Sequence, residues 1–189
     1  MSEVVRLTLV SHAMTDAMAA GRFPIDESVN AVGHRQVDAT VELGPVDLAL
    51  CGPEKRTRQT AELLGLRART DPQLADLDCG AWRGAVLGGV SPTDLAVWLT
   101  EPAKAPHGGE SVVDLIGRVR GWLDTVSGHR GRLVAVTHPS VIRAAILVVL
   151  DAPPRSFWRI DVGPASHTVL HFRGQAWTLR STGWISRPG

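Results

Sequence analysis

The 189 residues predict an α/β fold, a three-layer α/β/α sandwich around a mainly parallel sheet with an antiparallel edge. Three observations carry this. Short β-branched apolar runs at residues 4–10, 47–51 and 133–137 alternate with segments of helical periodicity. The first and third runs each end in a histidine, His12 and His138, where open α/β sheets place their ligands. Later runs at residues 158–162, 167–172 and 176–180 lie close together, with only Gly174-Gln175 and a few neighbours between the last two, the spacing of a hairpin edge.

Taken in order, the first strand stops abruptly at Ser11-His12-Ala13-Met14-Thr15. A helix is expected over residues 32–43, with Gly44 as its stop. The strand at 47–51 runs into a helix over 53–64. Pro53 suits the first helical turn, where its missing N–H costs nothing, and Gly65 ends the helix. Ser91-Pro92 is a start signal for a helix over 92–99, with serine as cap and proline in the first turn. Further helices are expected over 110–126 and 140–150. Residues 71–90 and 101–109, rich in Gly, Pro and Asp, read as loops over the carboxyl edge of the sheet. With no linker, repeat or low-complexity tract, residues 1–189 read as one domain.

Bulk properties narrow the partners. The net charge of +1 supplies no global basic field, so neither nucleic acid nor an anionic membrane is expected to bind. The longest apolar run, residues 144–150, is too short to span a bilayer, and the amino terminus has neither a basic region nor a cleavage-like site. Cys51 and Cys79 match no metal or redox spacing, and two thiols in a chain of this size point to a reducing compartment, hence a cytoplasmic location. A homodimer is the default by base rate alone.

Two strand-end histidines facing one crevice suit phosphoryl chemistry: one neutral imidazole attacks phosphorus and the other stabilises the spread negative charge. A helix start with an arginine in its first turn is an anion site, and Arg56 is the candidate. Taken singly, each of these residues also reads as a turn histidine or a solvated arginine.

His12 after a strand, Pro53-x-x-Arg56-Thr57-x-Gln59-Thr60-Ala61, and His138 after a late strand together resemble the histidine phosphatase superfamily, also called phosphoglycerate mutase-like. Leu74-Ala75-Asp76-Leu77-Asp78-Cys79-Gly80-Ala81-Trp82-Arg83-Gly84, Gly108-Gly109-Glu110-Ser111 and Thr137-His138 with Val141-Ile142-Arg143 extend the likeness in order, from residue 4 to about 150. The resemblance implies a short-branch phosphatase that hydrolyses a small phosphorylated metabolite, without cofactor or metal. In that scheme His12 is the nucleophile, Arg56 and His138 bind the phosphoryl group, and Asp76 stands where the family has its proton-donating glutamate, with Asp78 as a nearby second candidate. Ser11, Thr15 and Arg22 complete the expected phosphate contacts. The counterpart of Trp82 lies near the site, whereas Arg143 reads as structural.

Several positions depart from the family pattern. Its Arg-His-Gly stands here as Ser11-His12-Ala13, Gly52 replaces the serine before Pro53, and Asp76 is one methylene shorter than glutamate. Losing one charge-assisted contact costs about 2–4 kcal/mol in the transition state, on the order of 30- to 1,000-fold in rate. Arg22 and His107 are the residues expected to compensate. Two other readings stay open: a non-catalytic pseudo-phosphatase that binds a phosphorylated ligand or partner, and a phosphoglycerate mutase. The chain has little room for the longer insertions of the mutases.

Overall fold

The computed structural model describes residues 4–38 and 43–184. Its strands are β1 (Val5–Ser11), β2 (Leu48–Cys51), β3 (Arg69–Thr70), β4 (Gly131–Thr137), β5 (His167–Arg173) and β6 (Ala176–Gly183). They form one sheet in the order β3-β2-β4-β1-β5-β6. The first four strands in that order are parallel; β5 and β6 are antiparallel and close the edge. The expected mixed α/β sheet is therefore the observed one.

Strand register sets the site. Ser11 pairs with Thr137 at the ends of β1 and β4, so the next residues, His12 and His138, leave the sheet side by side. Cys51 at the end of β2 pairs with Val136, which brings the Gly52–Arg56 turn to the same edge.

The helices are α1 (Asp16–Ala19), α2 (Ala31–Asp38), α3 (Lys55–Leu63), α4 (Pro92–Thr100), α5 (Val112–Val126) and α6 (Pro139–Val149). Side chains alternate along the central strands. Leu7, Leu9, Leu133 and Ala135 pack with Leu115, Val119 and Leu123 of α5 and with Ile142 and Ala145 of α6. Val10, Val134 and Val136 face the other way and pack with Ala61 of α3. Burial on both faces is why these parallel strands are almost continuously apolar. Each fully buried leucine among them contributes roughly 1.5–3 kcal/mol.

Two expectations are corrected. Residues 158–162 are not a strand: a 3-10 helix covers Pro154–Arg159 and irregular chain follows. The alternating Trp158, Ile160 and Val162 pack onto the core as a satellite, which produces a strand-like pattern without strand pairing. The helix expected over 32–43 is described as Ala31–Asp38; residues 39–42 lie outside the described residues, and Leu43 is not helical. Two short elements, α1 and β3, are too brief for periodicity to reveal.

Candidate active site

His12 is buried, and its position is fixed by four hydrogen bonds on or next to it. Its backbone N–H donates to the Thr137 carbonyl at 2.9 Å, and its own carbonyl accepts from the Ala165 N–H at 3.2 Å. Its ring Nδ1 lies 2.9 Å from the Ala13 carbonyl oxygen. A carbonyl can only accept, so Nδ1 carries the proton and Nε2 keeps its lone pair. The Ala13 N–H in turn donates to the Thr60 hydroxyl at 3.0 Å. Burial first, then the charges of His138 and Arg56, push the His12 pKa down to about 3. At neutral pH the ring is an uncharged nucleophile. The His12 and His138 rings stand edge to face, 5.1 Å between centroids.

Arg56 lies in the first turn of α3 and is 2% exposed. Its neighbours in the helix are all engaged. The Thr57 hydroxyl donates to the Gly52 and Glu54 carbonyls, each at 2.8 Å. The Gln59 side chain accepts from the Val29 N–H at 2.8 Å, which holds the loop leading to α2. The Thr60 hydroxyl donates to the Arg56 carbonyl at 2.7 Å while accepting from Ala13. This helix start therefore aligns the arginine and, through Thr60, the nucleophile's own turn.

Asp76 meets Arg56 directly: Nη2 lies 2.7 Å from Oδ2. The other oxygen, Oδ1, accepts from the Ser140 hydroxyl at 2.6 Å and from the Leu77 N–H at 2.8 Å. Burial alone would raise the Asp76 carboxyl; the charges of His138 and Arg56 and the Ser140 hydrogen bond outweigh it and hold the group far below the usual carboxylate range. The loop that carries Asp76 is braced from two sides. Arg118 pairs with Glu110 at 2.7 Å and donates to the carbonyls of Gln73 and Ala75 at 2.7 and 3.1 Å. Thr137 donates its hydroxyl to the Leu74 carbonyl at 2.8 Å. Gly109 is required here, because a Cβ would collide with the Asp78 carbonyl. The Gly108–Ser111 segment thus acts by holding Asp76, with Ser111 capping α5.

Sequence reasoning passed over Glu54. Its Oε2 lies 2.7 Å from His138 Nε2, and its Oε1 accepts from the Asp76 N–H at 3.0 Å. Burial would raise this carboxyl, but the hydrogen bond and charge of His138 lower it. His138 Nδ1 lies 3.3 Å from Asp76 Oδ2, close in distance without the alignment of a hydrogen bond. The resting site is thus an alternating chain, Glu54–His138–Asp76–Arg56. The signal was available as an acidic residue two positions before the candidate arginine, but a carboxylate at a helix start has an ordinary explanation.

Two cavities flank this chain. One, about 320 Å³, is lined by Asp26, Glu54, Arg56, Asp76, Asp78 and Arg83 among others. The other, about 180 Å³, lies beside His12 and has aromatic walls, Phe23, Trp98 and Trp158, with Arg22 and Arg143. Arg22 is exposed on the rim of this second cavity. Arg143, expected to be structural, also lines it; its Nε donates to the Ile160 carbonyl at 2.7 Å and its guanidinium lies over Trp158, 5.6 Å from the ring centroid.

Most of the other expected contacts are engaged elsewhere. The Thr15 hydroxyl accepts from the Met18 N–H as the cap of α1, because a threonine before a helix is drawn to its free donors. Ser11 is fully buried and its hydroxyl has no partner among the described residues. Asp78 pairs with Arg83 at 2.8 Å near the surface. His107 accepts from the Gly109 N–H and packs against Trp82, and neither ring lines the two cavities. Among the described residues no group of three or more His, Cys, Asp or Glu is arranged to hold a metal ion, and no helix is long and apolar enough to cross a membrane.

Comparison with known proteins gives the family and the fold. The chain is 30% identical over 183 residues to phosphoserine phosphatase 1 of Hydrogenobacter thermophilus, covering 89% of this chain and 87% of that one. It is 32% identical over 188 residues to the glucosyl-3-phosphoglycerate phosphatase of Mycobacterium tuberculosis, covering 87% and 84%. The structure of the mycobacterial glucosyl-3-phosphoglycerate phosphatase in complex with VO3 superposes with a TM-score of 0.83 at 27% identity, over 96% of this chain and 99% of that one. Other mycobacterial relatives, 29% identical, are about twice as long, and the chain spans 50% of each. The family description "Histidine phosphatase superfamily (branch 1)" matches residues 7–185. The chain belongs to the histidine phosphatase superfamily, branch 1.

Proposed function

We propose that this protein is a phosphatase that hydrolyses a small phosphorylated metabolite through a phosphohistidine on His12. The observation that carries the reading is the meeting of a neutral His12, its Nδ1–H tied to a carbonyl, with His138 at 5.1 Å and the buried Arg56–Asp76 pair. The named activities of the relatives, phosphoserine phosphatase and glucosyl-3-phosphoglycerate phosphatase, support a small phosphomonoester as substrate. We read residues 1–189 as one domain of the shorter phosphatase type, with Ser11-His12-Ala13 in place of the family's Arg-His-Gly, working in the cytoplasm.

The chemistry follows from the contacts. A phosphoryl group that enters beside His12 competes with Asp76 for Arg56. Once Arg56 turns to the phosphoryl oxygens, Asp76 loses its cation and faces a new negative charge. Both changes raise a buried carboxyl and load it with a proton. His12 Nε2 then attacks phosphorus, the P–O bond to the leaving alcohol breaks, and Asp76 gives that oxygen its proton. In the second half Asp76, now a carboxylate, takes a proton from water. The water oxygen attacks phosphorus, the N–P bond breaks, and His12 returns neutral. His138 and Arg56 stabilise the charge on the transferring group throughout. The aromatic cavity beside His12 is the place for the leaving group.

One observation favours the pseudo-phosphatase reading instead. Arg56 and His138, the two groups expected to hold the phosphoryl group, already face carboxylates. Steady hydrolysis of a generic aryl phosphate decides between the two. The wild type is expected to exceed His12→Ala by on the order of 1,000-fold or more, the effect of losing a nucleophile. Equal rates would remove the enzyme reading.

A further inference from the structure

We propose that Glu54 is a positioning residue of this site: its carboxylate anchors His138 through Nε2 and so sets the orientation of that ring beside His12. The kinetic part of this proposal rests on the phosphatase reading; the structural part does not.

Three features of the chain converge on it. The first is geometry. Glu54 touches both neighbours at once, His138 Nε2 at 2.7 Å and the Asp76 N–H at 3.0 Å. The other ring nitrogen, Nδ1, has no hydrogen-bond partner among the described residues, with Asp76 Oδ2 3.3 Å away out of alignment, so the bond to Glu54 is the ring's one hydrogen bond among them. A hydrogen bond at one nitrogen of a buried imidazole sets which nitrogen carries the proton and which edge of the ring faces each neighbour.

The second is the behaviour of Glu54 as a helix cap. It occupies the cap position of α3, where acidic and hydroxyl side chains ordinarily turn back onto the first free N–H groups. Its side chain makes no such bond. It points away from the helix and toward His138, while Asp26 accepts the Lys55 N–H at 2.7 Å.

The third is Gly52. A Cβ at this position would lie 2.8 Å from the Leu74 carbonyl oxygen, 3.0 Å from Glu54 Oε2 and 3.2 Å from His138 Nε2. The absent side chain at residue 52 is what leaves room for the Glu54–His138 contact. Gly52 and Glu54 are therefore one feature, two residues apart: the glycine opens the cradle and the glutamate fills it.

A carboxylate on one nitrogen of an imidazole selects the tautomer that donates to it, orients the ring and favours its protonated form as negative charge builds nearby. In a site with Ser11 next to the nucleophile, His138 and Arg56 meet Glu54 and Asp76 side chain to side chain and can donate to a phosphoryl group. Fixing His138 at the correct edge has a direct effect on the transferring group.

The test uses the full chain with 15N-labelled histidine. A ring N–H of a fully buried imidazole donated to a carboxylate exchanges slowly and resonates far downfield. Its assignment to His138 is made by its loss in His138→Gln. The signal is expected in the wild type, absent in Glu54→Ala, and retained in Glu54→Gln, whose amide oxygen still accepts. With a generic aryl phosphate, Glu54→Ala is expected to lower kcat by roughly 10- to 100-fold with a smaller change in KM, and Glu54→Gln to recover part of it. Gly52→Ala disturbs the same contact from the backbone side and supplies the test if Glu54→Ala does not fold. A signal that persists in a folded Glu54→Ala overturns the proposal. So does a Glu54→Ala enzyme as fast as the parent or faster, since Glu54 would then only crowd the pocket. If the wild type hydrolyses no phosphomonoester, the phosphatase reading falls, while the ring N–H still decides whether Glu54 holds His138.

Discussion

The two walls of the cleft are built on opposite principles. On one side Glu54, His138, Asp76 and Arg56 form a chain of polar and charged side chains in which each successive contact is between 2.7 and 3.3 Å. On the other side Met18, Phe23, Trp98 and Trp158 form an aromatic and apolar wall, and the indole N–H of Trp98 is buried without a partner among the described residues. The charged wall is braced from the helix start of α3, from Thr137 and from the Glu110–Arg118 pair. The aromatic wall is held by ring packing, with Trp98 and Trp158 centroids 4.3 Å apart. A network of buried charges fails as a unit when one member is lost; a packed aromatic surface yields by degrees. The chemistry should therefore be brittle and the choice of leaving group adjustable.

The largest effect is expected on the charged wall. Arg56→Ala leaves the mostly enclosed Asp76 without its cation and should cost about 3 kcal/mol of stability in denaturant unfolding, together with nearly all activity. Arg56→Ala combined with Asp76→Ala should cost less than the sum of the two, because the stranded charge is gone. Strict additivity would mean that the pair is not coupled and would break the contrast between the walls.

Acidification probes the same wall with smaller steps. His12 is depressed to about 3 in the fold, so between its unfolded value near 6.5 and that point the unfolded chain binds the extra proton and stability falls as pH falls. Asp76 is also depressed in the fold, so its contribution is present above its unfolded pKa and is lost as pH falls further. Both have the same sign. Each group contributes a slope of about 1.4 kcal/mol per pH unit within its own window. His12→Asn should flatten the stability profile between pH 6.5 and about 3, and Asp76→Asn only the more acid part. A His12→Asn profile as steep as the parent's would show that His12 is not buried neutral.

The aromatic wall should respond in KM. Trp158→Leu is expected to raise KM for an aryl phosphate several-fold while kcat stays within about two-fold, as when binding energy common to ground and transition states is removed. A collapse of kcat would place Trp158 with the chemistry and erase the distinction. Arg22→Ala should do least. Its side chain stands on the exposed rim, where a single charge is worth roughly 1 kcal/mol or less, and a change in kcat/KM below about five-fold is expected. A larger loss would restore Arg22 as the stand-in for the absent motif arginine.

The degree to which these features were readable in the chain follows the physics. Strand runs that end in His12 and His138 are local patterns, and register Ser11 to Thr137 then brings the two rings together. The helix expected over 110–126 is likewise a local pattern and stands as α5. The false strand at 158–162 arose because burial alternates there for packing reasons alone. Arg143 looked structural because its cavity is made by residues far apart in the chain, including Phe23, Trp98 and Trp158. Glu54 was invisible for the same reason: its partner His138 is 84 positions away, and no local signal says that a cap residue has turned from its helix.

The account stands or falls on the nucleophile. The direct measurement is a rapid acid-free quench of the wild type with a 32P-labelled aryl phosphate, followed by peptide mapping. The expected result is label bound in an acid-labile, base-stable linkage on the peptide containing His12, formed before steady turnover and absent in His12→Ala. Hydrolysis that proceeds with no label on that peptide, or label that persists in His12→Ala, would contradict it.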